Sequence, residues 1–295
     1  MTTASFSHID TASYGPGKPW SKVDGPGNSF SQKWHQRDVH NLRGREHEFT
    51  TDNAGFAVYQ HSANEKLFTD DAAVQEGYYR EIESLLRDNL QGVKKVLIFD
   101  HTIRRRDNTS PRQPLAQVHV DQSPGAAEAR VRRHLPTEAD QLIQGRYQII
   151  NVWRPIQHPA SDHPLAVIDW RSTSPSDYIS TDLLYPKRAD SMDIDDRGKE
   201  VRPDPNNYTS TEGYEVKGET MAVAPKEHHK FYYQKDMTPD EVMLLKCFDS
   251  YGEGMPNGKQ GIAVRTPHTA FADPQTPADA PGRQSIEVRC LVFYE

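Results

Sequence analysis

Long apolar runs are missing from this 295-residue chain, and nowhere does it approach the roughly 18–20 consecutive apolar residues that a membrane-spanning helix needs. Cysteine is scarce: Cys247 and Cys290 are the only two, too few for a disulfide framework or a cysteine-rich zinc site. Positive charge is not in excess either. The 35 Lys and Arg stand against 42 Asp and Glu, for a net charge of −7, so no global field exists to draw in nucleic acid or an anionic membrane. The first twenty residues lack a basic stretch followed by an apolar one, which argues against a secretory signal and for a soluble, cytoplasmic protein. Neither a P-loop, nor G-x-S-x-G, nor G-x-G-x-x-G occurs, so phosphate cradles and nucleophile elbows lack support.

What is present is a chain of modest apolar content, 35%, with a mean hydropathy of −0.82, and enough aromatics (13 Tyr, 10 Phe and 4 Trp) to build a core. Residues 1 to about 55 are rich in Gly, Pro and Ser with little periodicity, which predicts an extended arm laid over a main domain spanning 56–295. From Thr69 the spacing of Val74, Tyr78, Ile82, Leu85 and Leu86 predicts a scaffold helix capped by Thr69 or Asp70. Short β-branched or aromatic runs then follow: Val93–Phe99, Leu115–Val120, Tyr147–Trp153, Leu165–Trp170, His229–Tyr233, Val242–Phe248 and Ser285–Tyr294. Between the second and third, the stretch from Pro124 to about Gly145 reads as helix. Thr238–Glu241 resembles a helix start, but VMLLKCF beyond it reads as strand, so a turn followed by a strand is expected. Many short strands with few helices predict a mainly β sandwich or jelly roll with flanking helices. A polar, Pro- and Asp-rich insertion at about 183–226, including Asp193, Asp195, Asp196, Pro203, Pro205 and Gly213, is long enough to serve as a cover over a site.

The most informative stretch is Gln117-Val118-His119-Val120-Asp121. Residues two apart on a strand share a face, so His119 and Asp121 project together while Val118 and Val120 pack oppositely. An imidazole beside a carboxylate supplies two of the three ligands of an iron facial triad. Arg265-Thr-Pro-His268 supplies a second histidine downstream, and Arg283-Gln-Ser285 opens the last run. An arginine fork matches a carboxylate in two parallel hydrogen bonds, and a hydroxyl two residues on lies on the same face. Arg289 lies on that face too and remains an alternative to Arg283, with an Arg289–Glu287 ion pair as the purely structural reading. Tyr147, Asn151 and Trp153 share one face of their strand and suit a cosubstrate or substrate pocket, or else are core aromatics with satisfied polar tips. The Arg104–Arg106 cluster reads as a solvated face, although Arg104 could reach a cavity and hold a substrate carboxylate. His158 and His163 fall in a Pro-rich turn. His228 and His229, if in a strand, face opposite sides and cannot ligate one metal.

From about Val93 onward the chain resembles the iron(II)/2-oxoglutarate-dependent dioxygenases, and more narrowly the branch that includes the fungal gibberellin desaturase and the cephamycin 7-alpha-hydroxylase component. The resemblance is carried by FDHTIRRR (Phe99 to Arg106), HVDQSPGAAEARVRRHL (His119 to Leu135), RYQIINVWRPI (Arg146 to Ile156), PLAVIDW, DMTPDEVMLLKCFDS, PHTAF and RQSIEVRCLVFY. It implies a double-stranded β-helix, Fe(II) held by His119, Asp121 and His268, and 2-oxoglutarate gripped by Arg283 with Ser285, Tyr147 nearby. Dioxygen is the other cosubstrate. Asn151, Trp153 and Arg104 are then candidates to touch a small-molecule, secondary-metabolite substrate, which is hydroxylated or desaturated at an unactivated C–H bond. Two other readings stand beside it: a zinc hydrolase or cupin-like isomerase on the same His/Asp/His set, and a non-catalytic β-sandwich module.

Overall fold

Alternation along the strands organises the architecture. A computed structural model describes residues 1–23, 27–106, 114–187 and 208–295. In chain order its strands are β1 (Thr2–Ile9), β2 (Trp20–Lys22), β3 (Gln32–Asn41), β4 (Phe56–Gln60), β5 (Val93–Arg105), β6 (His119–Val120) and β7 (Tyr147–Pro155). These are followed by β8 (Leu165–Ile168), β9 (Tyr178–Pro186), β10 (Tyr214–Val223), β11 (Phe231–Tyr233), β12 (Glu241–Asp249), β13 (His268–Ala270) and β14 (Gln284–Tyr294). They form two sheets, a nine-stranded one in the order β1-β3-β11-β8-β13-β6-β10-β9-β2 and a five-stranded one in the order β4-β12-β7-β14-β5.

The five-stranded sheet shows how one strand serves two surroundings. On its outer face Ile150, Val152, Ile286, Val288, Cys290 and Val292 pack against Val74, Tyr78, Ile82 and Leu86 of the helical stretch over 71–89. Asp70 caps that stretch by accepting hydrogen bonds from the amides of Ala72 and Ala73. On the inner face Trp153, Met243 and Leu245 meet Leu165, Val167 and Tyr232 of the larger sheet. Because β7 and β12 are covered on both sides, every residue in them is buried. The turn-then-strand reading of 238–248 agrees with β12, whose start is set by the Glu241 amide donating to the Thr238 carbonyl at 3.0 Å.

Several elements differ from the sequence reading. The N-terminal stretch is built into the larger sheet. β1 pairs antiparallel with β3 over eight residues, and Ser7 bridges Gln117 just before β6. Its pattern is hard to read because Thr2, Ala4, Phe6 and His8 alternate inward with only two apolar side chains among them, and Ser7 and Ile9 are buried as well. The helix expected over 124–145 is two pieces, Pro124–His134 and Ala139–Leu142, because Pro136 cannot continue the first. β5 runs on past Phe99 to Arg105. Of the polar insertion, residues 183–186 belong to β9 and 214–223 to β10; its middle, with Asp193, Asp195, Asp196, Pro203 and Pro205, lies outside the described residues. β11 begins at Phe231, so His228 and His229 sit in the turn before it rather than in a strand. Both cysteines are buried and free. Among the described residues no helix is long and apolar enough to cross a membrane.

Candidate active site

β6 and β13 are neighbours in the larger sheet, and their pairing sets His119 directly opposite His268. Opposed residues on one face of an antiparallel pair have Cβ atoms roughly 4.5–5.5 Å apart, so one rung of the sheet closes a long gap in sequence. The two rings lie 4.5 Å apart. Each ring's Nδ1 meets the carbonyl two residues back in its own chain, Gln117 at 2.8 Å and Thr266 at 3.1 Å. Carbonyls only accept, so these contacts put a proton on Nδ1 and turn Nε2 toward the third residue.

That residue is Asp121. Its Oδ1 lies 3.1 Å from His119 Nε2 and 3.6 Å from His268 Nε2. Its other oxygen, Oδ2, accepts from Asn151 Nδ2 at 2.7 Å and from Arg289 Nε at 3.2 Å. The carboxylate is therefore clamped from behind, with one oxygen left toward the imidazoles. Burial would push its pKa up, but without a metal the imidazoles of His119 and His268, when doubly protonated, donate to it, and with the charge of Arg289 they outweigh burial and hold it well below the usual carboxylate range. The donor atoms of His119, Asp121 and His268 all lie within 4.8 Å of one another. Two nitrogens and one carboxylate oxygen on one side, with supporting hydrogen bonds behind each, suit a divalent transition metal with open positions.

The cavity beside this trio is lined by Thr102, Arg104, Leu115, Trp153, Leu165, Arg283, Ser285, Glu287 and Arg289, among others. Arg283 is 2% exposed. Its amide donates to Asp162 Oδ1 at 2.9 Å, its Nη1 to the His163 carbonyl at 2.8 Å, and its guanidinium lies over the Trp153 ring at 5.6 Å. Its Nε has no partner. Burial, and after it the charge of Arg104, pulls the guanidinium's pKa down to about 9. A buried cation that lines a cavity and keeps an unpartnered donor is suited to an anion, and Ser285, two residues on, lines the same cavity.

Arg289 is differently placed. Besides Asp121 it donates to Asp100 and Thr102, each at 3.0 Å, and to Glu287 at 2.8 Å. All three of its nitrogens are engaged, so the Arg289–Glu287 pair is one part of a larger, part-buried network.

The structure thus brings His119, Asp121, His268, Arg283, Ser285, Trp153 and Arg104 to one cavity. Tyr147 is not there. It packs against Phe248, Phe293, Ala127 and Val131 at the other end of β7. Asn151 does not line the cavity either and instead supports Asp121. Thr102, Leu115 and Leu165 line the cavity without having been singled out in the sequence, and Glu287 was read there only as an ion-pair partner of Arg289. Thr102 carried a usable signal, because it alternates with Arg104 in a strand whose polar second half reads as a loop.

A family model described as an oxidoreductase/YMDC permease-like domain matches residues 14–293. The chain is 33% identical to the hydroxylase/desaturase efuI of Hormonema carpetanum, over 87% of this chain and 83% of that protein. It is 29% identical to the Fe(II)/2-oxoglutarate-dependent dioxygenase nvfI of Aspergillus novofumigatus, over 90% and 85%. Among solved structures, the iron and alpha-ketoglutarate-dependent endoperoxidase NvfI superposes with a TM-score of 0.81 at 25% identity, over 99% of this chain and 98% of that one. The two sheets are therefore those of a jelly roll of the same kind. On this likeness along nearly its whole length, the chain belongs to the fungal Fe(II)/2-oxoglutarate-dependent hydroxylase/desaturase family.

Proposed function

We propose that this protein is an oxidoreductase that uses iron(II), 2-oxoglutarate and dioxygen to hydroxylate or desaturate a small secondary metabolite. The observation that carries this reading is the pairing of two histidines across one rung onto one Asp121 oxygen, beside a buried arginine with a free donor. His119, Asp121 and His268 hold the metal. Arg283, assisted by Ser285, holds the far carboxylate of 2-oxoglutarate, and the engagement of Arg289 with Asp100, Asp121 and Glu287 supports this choice of arginine. When bound, iron(II) with its cosubstrates supplies the oxidising power to remove hydrogen from an unactivated C–H bond, with 2-oxoglutarate leaving as succinate and carbon dioxide.

The chain's own residues orient and shield. The Gln117 and Thr266 carbonyls fix the two imidazoles, and Asn151 and Arg289 keep Asp121 to one outward oxygen. Trp153, Leu115 and Leu165 give the cavity an apolar wall that limits water, while Arg104 offers a charge for an acidic substrate group. A zinc hydrolase on the same trio would leave the partnerless Arg283 Nε without a role. The net charge of −7 accords with a cytoplasmic enzyme that has no nucleic-acid or membrane partner.

The test is conversion of 2-oxoglutarate to succinate by the purified protein with iron(II), air and a panel of candidate metabolites. We expect iron-dependent succinate that a true substrate accelerates, and none from His268→Ala. Turnover that ignores added iron, or persists unchanged in His268→Ala, overturns the reading.

A further inference from the structure

A second grouping of one aspartate and two histidines lies away from the cavity. Asp177 ends the short turn Pro175–Asp177 before β9, and His228 and His229 precede β11. In an extended strand these adjacent rings would face apart, but the chain turns at Glu227 and His228, and both reach the same carboxylate. His229 Nε2 lies 3.0 Å from Asp177 Oδ2, and His228 Nε2 lies 3.6 Å from that same oxygen. The rings stand 5.2 Å apart and nearly perpendicular. The three donor atoms lie within 4.8 Å of one another.

Three observations ask for a cation there. The side chains of Asp177 and His229 are fully buried. Among the described residues no lysine or arginine forms an ion pair with Asp177, Arg37 lying near His229 instead, so its buried charge is met by imidazoles and the Ser174 amide. One oxygen, Oδ2, also accepts the Ser174 amide at 2.8 Å and is crowded, whereas Asp177 Oδ1 and His229 Nδ1 are buried without partners.

We propose that Asp177, His228 and His229 form a second divalent-cation site, of the zinc class. Two imidazole nitrogens and one carboxylate oxygen match zinc's preferences, and His228, 59% exposed, leaves the ion open to water as its remaining ligand. An ion there ties the connection that leads into β9 to the one that leads into β11. None of the three residues lines the cavity around His119, so this site stands or falls independently of the reaction proposed above.

The experiment is equilibrium dialysis of the full-length, metal-stripped protein against zinc(II), with metal counted per chain. The wild type is expected to hold two equivalents and His228→Ala one. His268→Ala, which damages only the first site, should keep zinc that the added His228→Ala change removes. His228 is exposed, so its replacement should leave the circular dichroism spectrum unchanged. Loss of this ligand should weaken the second equivalent by more than the roughly 10–100-fold that losing a supporting group behind a ligand costs. No zinc retained by His268→Ala, or zinc in either protein that is indifferent to His228→Ala, overturns the proposal.

Discussion

At Asp121 the two imidazole nitrogens stand 3.1 and 3.6 Å from one carboxylate oxygen; at Asp177 they stand 3.0 and 3.6 Å from one. Judged by donors alone the two groupings are alike. They differ in what stands behind the donors. His119 and His268 are each anchored through Nδ1 to a backbone carbonyl, and Asp121 is held by Asn151 and Arg289. His229 Nδ1 has no partner, His228 is largely in solvent, and Asp177 is held from the backbone by the Ser174 amide. The first grouping also opens onto a lined cavity with a buried arginine, and none of the second grouping's residues lines that cavity. The comparison teaches that three ligands make a place for a metal, whereas the supporting groups and the adjoining cavity make a place for chemistry.

Removing the support behind Asp121 should have the largest effect. Arg289→Ala leaves Asp100, Asp121 and Glu287 without their shared cation; breaking a fully buried pair by deleting one partner costs about 3–5 kcal/mol, and this part-buried network should lose somewhat less. Denaturant unfolding should register that loss, and iron should be retained less well. If stability holds and only 2-oxoglutarate binding suffers, Arg289 is the cosubstrate clamp and Arg283 is not. Next comes Arg283→Ala. Hydrogen bonds to charged groups contribute about 1.5–3 kcal/mol, so the KM for 2-oxoglutarate should rise by roughly tenfold to a hundredfold or more while iron affinity stays the same. Arg283→Lys should restore only part of it, since the ammonium lacks the fork. The smallest expected effect sharpens the comparison itself. Zinc(II) should bind the Asp177 grouping about 10–100-fold more weakly than the Asp121 grouping, because the second lacks anchored imidazoles. Equal affinities in a titration of His228→Ala against His268→Ala would mean that the supporting bonds contribute nothing.

Residues two apart on a strand share a face whatever the strand pairs with, so the common orientation of His119 and Asp121, and of Arg283, Ser285, Glu287 and Arg289, was legible before any fold was known. The same rule grouped Tyr147 with Asn151 and Trp153 and could go no further. A strand rises about 3.3 Å per residue, so Tyr147 and Trp153 lie roughly 20 Å apart, and the cavity covers only one end of β7. Face was readable; position along the strand was not. β5 misled for a related reason. The apolar run ends at Phe99, yet the strand stays extended to Arg105 because residues 102–105 pair with residues 284–287 of β14.

By itself the sequence determined the donor types, their phase on each strand and the mainly β character, all of which follow from local periodicity and residue chemistry. Only the tertiary structure decided which strands became neighbours. Pairing between β6 and β13 joins segments far apart in the chain, and nothing local to either says that His119 will face His268. The same holds for Arg283, just before β14, and Arg289 within it. Their identical chemistry is divided by surroundings, three carboxylates around Arg289 and a carbonyl, a Trp153 ring and a cavity around Arg283. It holds again for His228 and His229, which a turn rather than a strand delivers to Asp177, a residue 52 positions before His229 that nothing local to the pair identifies.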